Sequence, residues 1–189
     1  MPFGATLTEH AGDLMITTPG AEVSDLLVTG AVMVAAPDVT LRRVHVLGTD
    51  GDTVRQTKTA PRLTIEDCDL ATRAAETAGV VQEAPGLTVR RCRVDGPGNG
   101  IVVRSDNATV TENFFTERGV LIESNVSTGV TVEDNVRYRV DAPAWSGSHH
   151  LRVPHNRFLG FAPVIGWPDG RPGNEWRGNV GDNGEPVAP

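Results

Sequence analysis

Short bursts of alternating apolar and polar residues recur along the chain at a nearly fixed interval. They read VTLRRVHV (39–46), LTIEDCDL (63–70), LTVRRCRV (87–94), ATVTENFF (108–115), VTVEDNVR (130–137) and LRVPHNRF (151–158). A degraded copy, NEWRGNV, lies at 174–180 and a weaker early one, EVSDLLV, at 22–28. Taking the second residue of each main copy as anchor gives Thr40, Thr64, Thr88, Thr109, Thr131, Arg152 and Glu175, spaced by 24, 24, 21, 22, 21 and 23 residues. Repetition at such a period marks a solenoid, whose units bury their apolar faces only against their neighbours.

The units are strands. Val39/Leu41, Leu63/Ile65, Leu87/Val89, Ala108/Val110, Val130/Val132 and Leu151/Val153 alternate with polar residues, the period of two of a half-buried strand. Two polar residues follow, and alternation resumes with a second inward pair such as Cys68 and Leu70, or Asn113 and Phe115. That two-residue slip predicts a bend between two short strands. A third strand precedes each cassette, in AVMVAAP, GVVQEAP, GIVVRSD and GVLIESN. The expected fold is therefore all-β: a single-stranded parallel β-helix of about seven coils with three short strands per coil. Right-handed winding is expected from the general preference of parallel crossovers. One domain spans 1–189, with an N-terminal coil and cap in 1–30, regular coils in 31–137, and C-terminal coils with long loops and a cap in 138–189.

Four residues after the anchor stands a column of Val44, Cys68, Cys92, Asn113, Asn135, Asn156 and Asn179. At a bend, a buried Asn satisfies backbone groups that the corner leaves unpaired, and Cys fits the same slot as a small buried side chain. Rungs are about 4.8 Å apart, but in-register side chains point in parallel, so reduced thiols are expected rather than a disulfide. Two stacked thiols also fall short of a metal site. The arginines of LTVRRCRV belong to similar columns. Successive coils carry Arg42, Glu66, Arg90, Thr111 and Glu133, beside Arg43, Asp67, Arg91, Glu112 and Asp134, beside His45, Asp69 and Arg93. Opposite signs thus stack as surface ladders that fix register.

Composition removes several alternatives. The 189 residues hold 17 basic and 24 acidic side chains, a net charge of −7, which argues against broad nucleic-acid binding. No apolar run approaches the roughly 20 residues of a membrane span, so none is expected. The opening MPFGATLTEHAGDL has no basic region followed by an apolar stretch, so no secretory signal is expected.

The cassette x-T-[VIL]-x-x-[CN]-x-φ and its Asn column resemble the pectate-lyase-like superfamily of right-handed β-helices, over roughly residues 12–180. The opening coils are similar in style to β-helix modules of actinobacteria and their phages. The resemblance implies a fold shared by polysaccharide lyases and hydrolases, epimerases, adhesins and phage tail proteins, and the fold alone selects none of these functions.

β-Elimination of a uronate needs its carboxylate neutralised, often by Ca²⁺ on Asp or Glu, and an Arg or Lys base facing it. The single lysine, Lys58, lies with Arg55, Asp50 and Asp52 in TDGDTVRQTKTAP. Glu83, Arg104 and Glu123 are expected on the same lateral face. Lys58, Arg55, Glu83, Arg104 and Glu123 are thus the catalytic candidates, and Asp50 and Asp52 the metal candidates. The competing reading makes Asp50 and Asp52 turn formers and the rest another stacked ladder. His149 and His150 in SGSHH read as loop or strand-entry residues, since neighbours on a strand point to opposite faces. The C-terminal quarter inserts Pro-rich loops and holds all three tryptophans. Trp176, at an inward position, is expected in the core or cap. Trp145 and Trp167, with His149, His150 and Asp169, are the candidates for a ligand or partner surface.

Two functions remain. The first is a non-catalytic structural and recognition module in a phage virion, tail or capsid, or at a cell surface, contacting a glycan or other structural proteins. Its location would be a virion or extracellular assembly, with the cytoplasm left open. The alternative is a compact polysaccharide lyase or glycoside hydrolase. No cofactor is expected under the first and Ca²⁺ only under the second, and a homo-oligomer stays open under both.

Overall fold

A computed structural model describes residues 6–48, 51–116, 120–122, 127–137, 149–158 and 172–188. Among them the chain is all-β and winds as a right-handed parallel β-helix. Three sheets form its sides. The first contains the anchor strands, from Glu22–Ser24 to Glu175–Arg177, and the second the strands after the bend, from Thr8–His10 to Arg157–Phe158. The third contains the strands preceding each cassette, from Leu14–Ile16 to Val120–Ile122. The sheets hold eight, eight and six strands, so about six coils are complete on all three sides, against the seven expected.

Register follows the repeat. Thr40, Thr64, Thr88, Thr109 and Thr131 lie one above another on the outer face of the first sheet. The alternating apolar positions point inward, and one continuous core runs from Ile16 to Val153. Trp176 packs half-buried against the end of this core, its ring stacked on Phe158 at 5.8 Å and its indole N–H donating to the Val187 carbonyl at 2.7 Å. It is a cap, as its inward position predicts.

The bend between first and second sheets repeats from coil to coil. Its first residue is left-handed throughout: Asp25, Arg43, Asp67, Arg91, Glu112, Asp134, His155 and Gly178 have φ between 51° and 61°. A side-chain-bearing residue in this region costs on the order of 1 kcal/mol. Offsetting it, each turn residue from Asp25 to His155 donates its N–H to the coil ahead, as Arg43 does to Glu66 at 3.1 Å and His155 to Arg177 at 3.0 Å.

The next residue turns inward, and here the Asn column takes the predicted form. Asn113, Asn135, Asn156 and Asn179 are all at least 98% buried. Each Oδ1 accepts the backbone N–H of the column residue behind it: Cys92 to Asn113 at 2.9 Å, Asn113 to Asn135 at 2.9 Å, Asn135 to Asn156 at 3.0 Å and Asn156 to Asn179 at 2.8 Å. Each Nδ2 donates to a carbonyl of the preceding coil, such as Val89 or Val110. The cysteines do the same work with sulfur. Val44 donates its N–H to Cys68 Sγ and Cys68 donates to Cys92 Sγ, both at 3.4 Å, while each thiol reaches back to carbonyls. Both are free thiols.

A second left-handed column stands two residues before the anchor: Gly20, Asp38, Arg62, Gly86, Asn107, Gly129, His150 and Gly173, with φ between 54° and 82°. Pro precedes five of its eight members, at Pro19, Pro37, Pro61, Pro85 and Pro172. Pro followed by a positive-φ residue is the signature of a tight turn.

The charge ladders form, with more burial than a surface ladder implies. Glu66 is only 2% exposed. It meets Arg42 at 2.5 Å from the coil behind, and Arg90 at 2.6 Å and Arg91 at 3.3 Å from the coil ahead. Paired two-point contacts join Arg43 to Asp25, Arg62 to Asp38 and Arg91 to Asp67. His45, Asp69 and Arg93 stack in register, yet Arg93 binds Asp95 on its own strand at 2.9 Å rather than Asp69.

Two predictions follow from the corner and the ladder. Asn135→Leu leaves the Asn113 N–H buried without a partner, and should lower unfolding free energy by about 1–3 kcal/mol in a denaturant titration. Thr131→Ala on the outer face should change it by less than about 0.5 kcal/mol. The second concerns acid. Hydrogen bonds from Arg43, Arg62, Arg91 and Arg152 hold Asp25, Asp38, Asp67 and Glu175 below the ordinary carboxylate value. For Glu66, burial pushes the carboxyl up but its arginines outweigh it, and the net shift is downward. Lowered folded-state values stabilise fully above the unfolded value near about 4, and that stability is lost as pH falls through the folded values. Denaturation midpoints should therefore drop steeply below about pH 4, and Glu66→Gln should flatten that drop.

Candidate functional site

On the third sheet, Val54 and Gln56 are fully buried and point into the helix. Alternation therefore sends Arg55 outward, in register with Met33 on one side and Val81 on the other. Glu83 and Arg104 follow directly after the strands Ala78–Gln82 and Asn99–Val103, so successive coils bring them beside Arg55.

The arrangement is a zigzag of opposite charges. Arg55 Nη1 donates to Glu83 Oε1 at 2.7 Å, and Arg55 Nη2 to Asp52 Oδ2 at 2.6 Å. Arg104 Nη1 approaches the same Glu83 oxygen at 3.6 Å. Asp52 spends its other oxygen on the Ala78 N–H at 2.9 Å. Beside this cluster lies an open groove of ≈ 390 Å³, lined among others by Met33, Asp52, Arg55, Glu76 and Thr77.

Of the catalytic candidates, Arg55, Glu83 and Arg104 come together, with Asp52 as a further member. Lys58 does not join them: it stands exposed on the turn after the strand. Glu123 lies outside the described residues. Of the metal candidates, Asp50 also lies outside them, and both Asp52 oxygens are engaged by protein donors. No group of three or more His, Cys, Asp or Glu is placed to hold a metal ion among the described residues.

The Arg55 guanidinium, bridging two carboxylates, is an electrostatic clamp between adjacent coils. Both Asp52 oxygens and Glu83 Oε1 are engaged by these donors. The cluster is a neutralised ladder, built like the one around Glu66.

At the C-terminal end, His149 pairs with Thr128 through an isolated bridge and His150 occupies the second left-handed column with φ 54°. They are strand-entry residues, as expected. Strand alternation does not separate them, because the positive φ of His150 turns both rings to one side. Their Nδ1 atoms are 2.9 Å apart and their rings nearly perpendicular at 5.1 Å. The His150 ring lies over Gly173, where a Cβ would come within 2.4 Å of it. Trp145, Trp167 and Asp169 lie outside the described residues.

Several residues stood outside the expected set. Gln56 and Gln82 stack fully buried inside the helix, donating to the carbonyls of Ala60 and Asp106. Ala78, Val81 and Val102 form a small separate buried cluster, although Val81 shares its outward row with Arg55. Only the strand alternation hinted at either.

If the cluster is structural, Arg55→Ala strands two carboxylates and should lower the melting temperature, and Glu83→Gln should lower it less. Lys58→Ala should leave it unchanged. Thermal unfolding followed by circular dichroism checks the order; a Lys58 effect equal to that of Arg55 would contradict it. Compared with known proteins, the chain matches no family model, no curated protein and no solved structure.

Proposed function

We propose that the chain is a non-catalytic structural and recognition module of the pectate-lyase-like β-helix class, serving in a phage virion or a cell-surface assembly. Its contacts there are a glycan or other structural proteins. The observation that carries this reading is the self-neutralisation of the lateral face. Arg55 and Arg104 are bound to Asp52 and Glu83 on one side, and Arg42, Arg90 and Arg91 to Glu22, Glu66 and Asp67 on another. Polar groups already satisfied by their neighbours stiffen a scaffold and leave little for a reacting substrate.

One observation favours a second reading, a compact polysaccharide lyase or hydrolase: the groove that places Glu76 and Arg55 around open space. Six coils give a side of about 25–30 Å, enough for a short glycan. Ca²⁺ would enter only under this reading.

The test is a product assay on acidic and neutral polysaccharides with and without Ca²⁺, following unsaturated ends by ultraviolet absorbance and new reducing ends by colour. The scaffold reading expects neither product. Cleavage that disappears in Arg55→Ala or Lys58→Ala would replace it with the enzyme reading.

A further inference from the structure

The outward row of the third sheet changes character along the helix. In register it reads Met15, Met33, Arg55, Val81 and Val102, apolar at every position but one. Val81 and Val102 face outward yet are only 1% and 3% exposed, so the row is covered there. Met33, two coils earlier, is 40% exposed. The groove beside Arg55 opens over it, and Ala31 and Val32 add to its apolar lining.

Turns of two successive coils border this apolar surface, one carrying Gly51 and Asp52, the next Glu76 and Thr77. Their polar groups are unequally occupied. Both Asp52 oxygens are engaged, and Arg55 is held by Asp52 and Glu83. Thr77 Oγ1 is turned away to the Ala74 carbonyl at 2.6 Å. At the groove's edge Asp13 Oδ1 accepts the Ala31 N–H at 2.8 Å. Glu76 is exposed on its turn, and no hydrogen bond or ion pair engages its carboxylate among the described residues.

Charge and shape narrow what fits. Asp13, Asp52 and Glu76 stand around the groove against Arg55, whose charge Glu83 also shares. An acidic glycan would therefore meet like charge. The lining holds no aromatic ring on which a sugar could stack, and Glu76 offers acceptors only. At ≈ 390 Å³ the groove lies at the small end of ligand sites, which run from about 300 to 1,000 Å³, so it suits a long side chain. An aliphatic stem ending in a positively charged donor matches all of these features. Its stem covers the methionine and its head reaches the carboxylate.

We propose that this groove docks a lysine or arginine side chain of a partner protein, with the aliphatic stem on Met33 and the cation at Glu76. This rests on the assembly role proposed above and names a surface for the protein side of its contacts. One exposed ion pair contributes little alone, so the groove supplies selectivity within a larger contact.

The test uses the full chain with its methionine methyl groups labelled for nuclear magnetic resonance, the Met33 signal being identified by its loss in Met33→Leu. The blocked peptide acetyl-GLKLKG-amide is titrated in, and its counterpart acetyl-GLQLQG-amide serves as the neutral control. Saturable movement of the Met33 signal is expected, with about fivefold weaker affinity for the control. Glu76→Gln, at an exposed turn position and checked for folding by circular dichroism, should bring the two peptides to equal affinity. Two peptides that bind the unaltered chain alike, or no movement with either, would overturn the proposal. So would a lysine preference that survives Glu76→Gln. A Met33 signal that moves with a neutral or acidic tetrasaccharide and not with the lysine peptide would give the groove to a glycan and overturn it as well. Polysaccharide cleavage in the product assay would overturn the assembly role while leaving the peptide preference as measured, so the two failures are distinguishable.

Discussion

The structure depends on one hydrogen bond repeated along its axis: a column side chain accepting the backbone N–H of the coil behind it. The left-handed residue at each bend turns the following N–H away from any strand partner and into the core. An unpaired donor there would cost about 1–3 kcal/mol per coil. Asn Oδ1 satisfies it in four coils and Cys Sγ in two. The bend is therefore held at constant length, with two residues between strands from Thr40–Arg42 onward. Coil length varies elsewhere: three residues separate Arg93–Asp95 from Asn99–Val103, and six separate Asp69–Ala71 from Ala78–Gln82.

Locked register makes the electrostatics deterministic. Because Arg42, Glu66 and Arg90 must superimpose, the Glu66 carboxylate is compressed between guanidiniums and loses its water. Removing an isolated carboxylate from water would be prohibitive, and three arginines supply the compensation. One partner lost from such a group is far more damaging than the group's net contribution suggests. The same packing engages Arg55 with Asp52 and Glu83.

The strands, the period and the Asn column were legible because they depend on local alternation and on residue type at a fixed offset. The second corner was equally available, written as PG at 19–20, 85–86 and 172–173 and as PD at 37–38, but Arg62, Asn107 and His150 in the same column obscure it. Arg55, Glu83 and Arg104 could be grouped because each lies within or just after a strand, where the alternation sets direction. Lys58 could not, because it sits beyond the strand end and no pleat orients it. The burial of Glu66 and the choice of Asp95 over Asp69 by Arg93 depend on side-chain reach across rungs, which a linear pattern does not encode.

Stability in such an array is a sum of rung strengths and nearest-neighbour contacts, so its ends are not equivalent to its middle. At the C-terminal end Trp176, Phe158 and the returning tail replace the missing neighbour. Among the described residues the rung of Thr8–His10, Leu14–Ile16 and Glu22–Ser24 has strand partners on one side. Along the sides the Glu66 and Glu83 ladders pair their charges internally, and the corner hydrogen bonds tie each coil to the next.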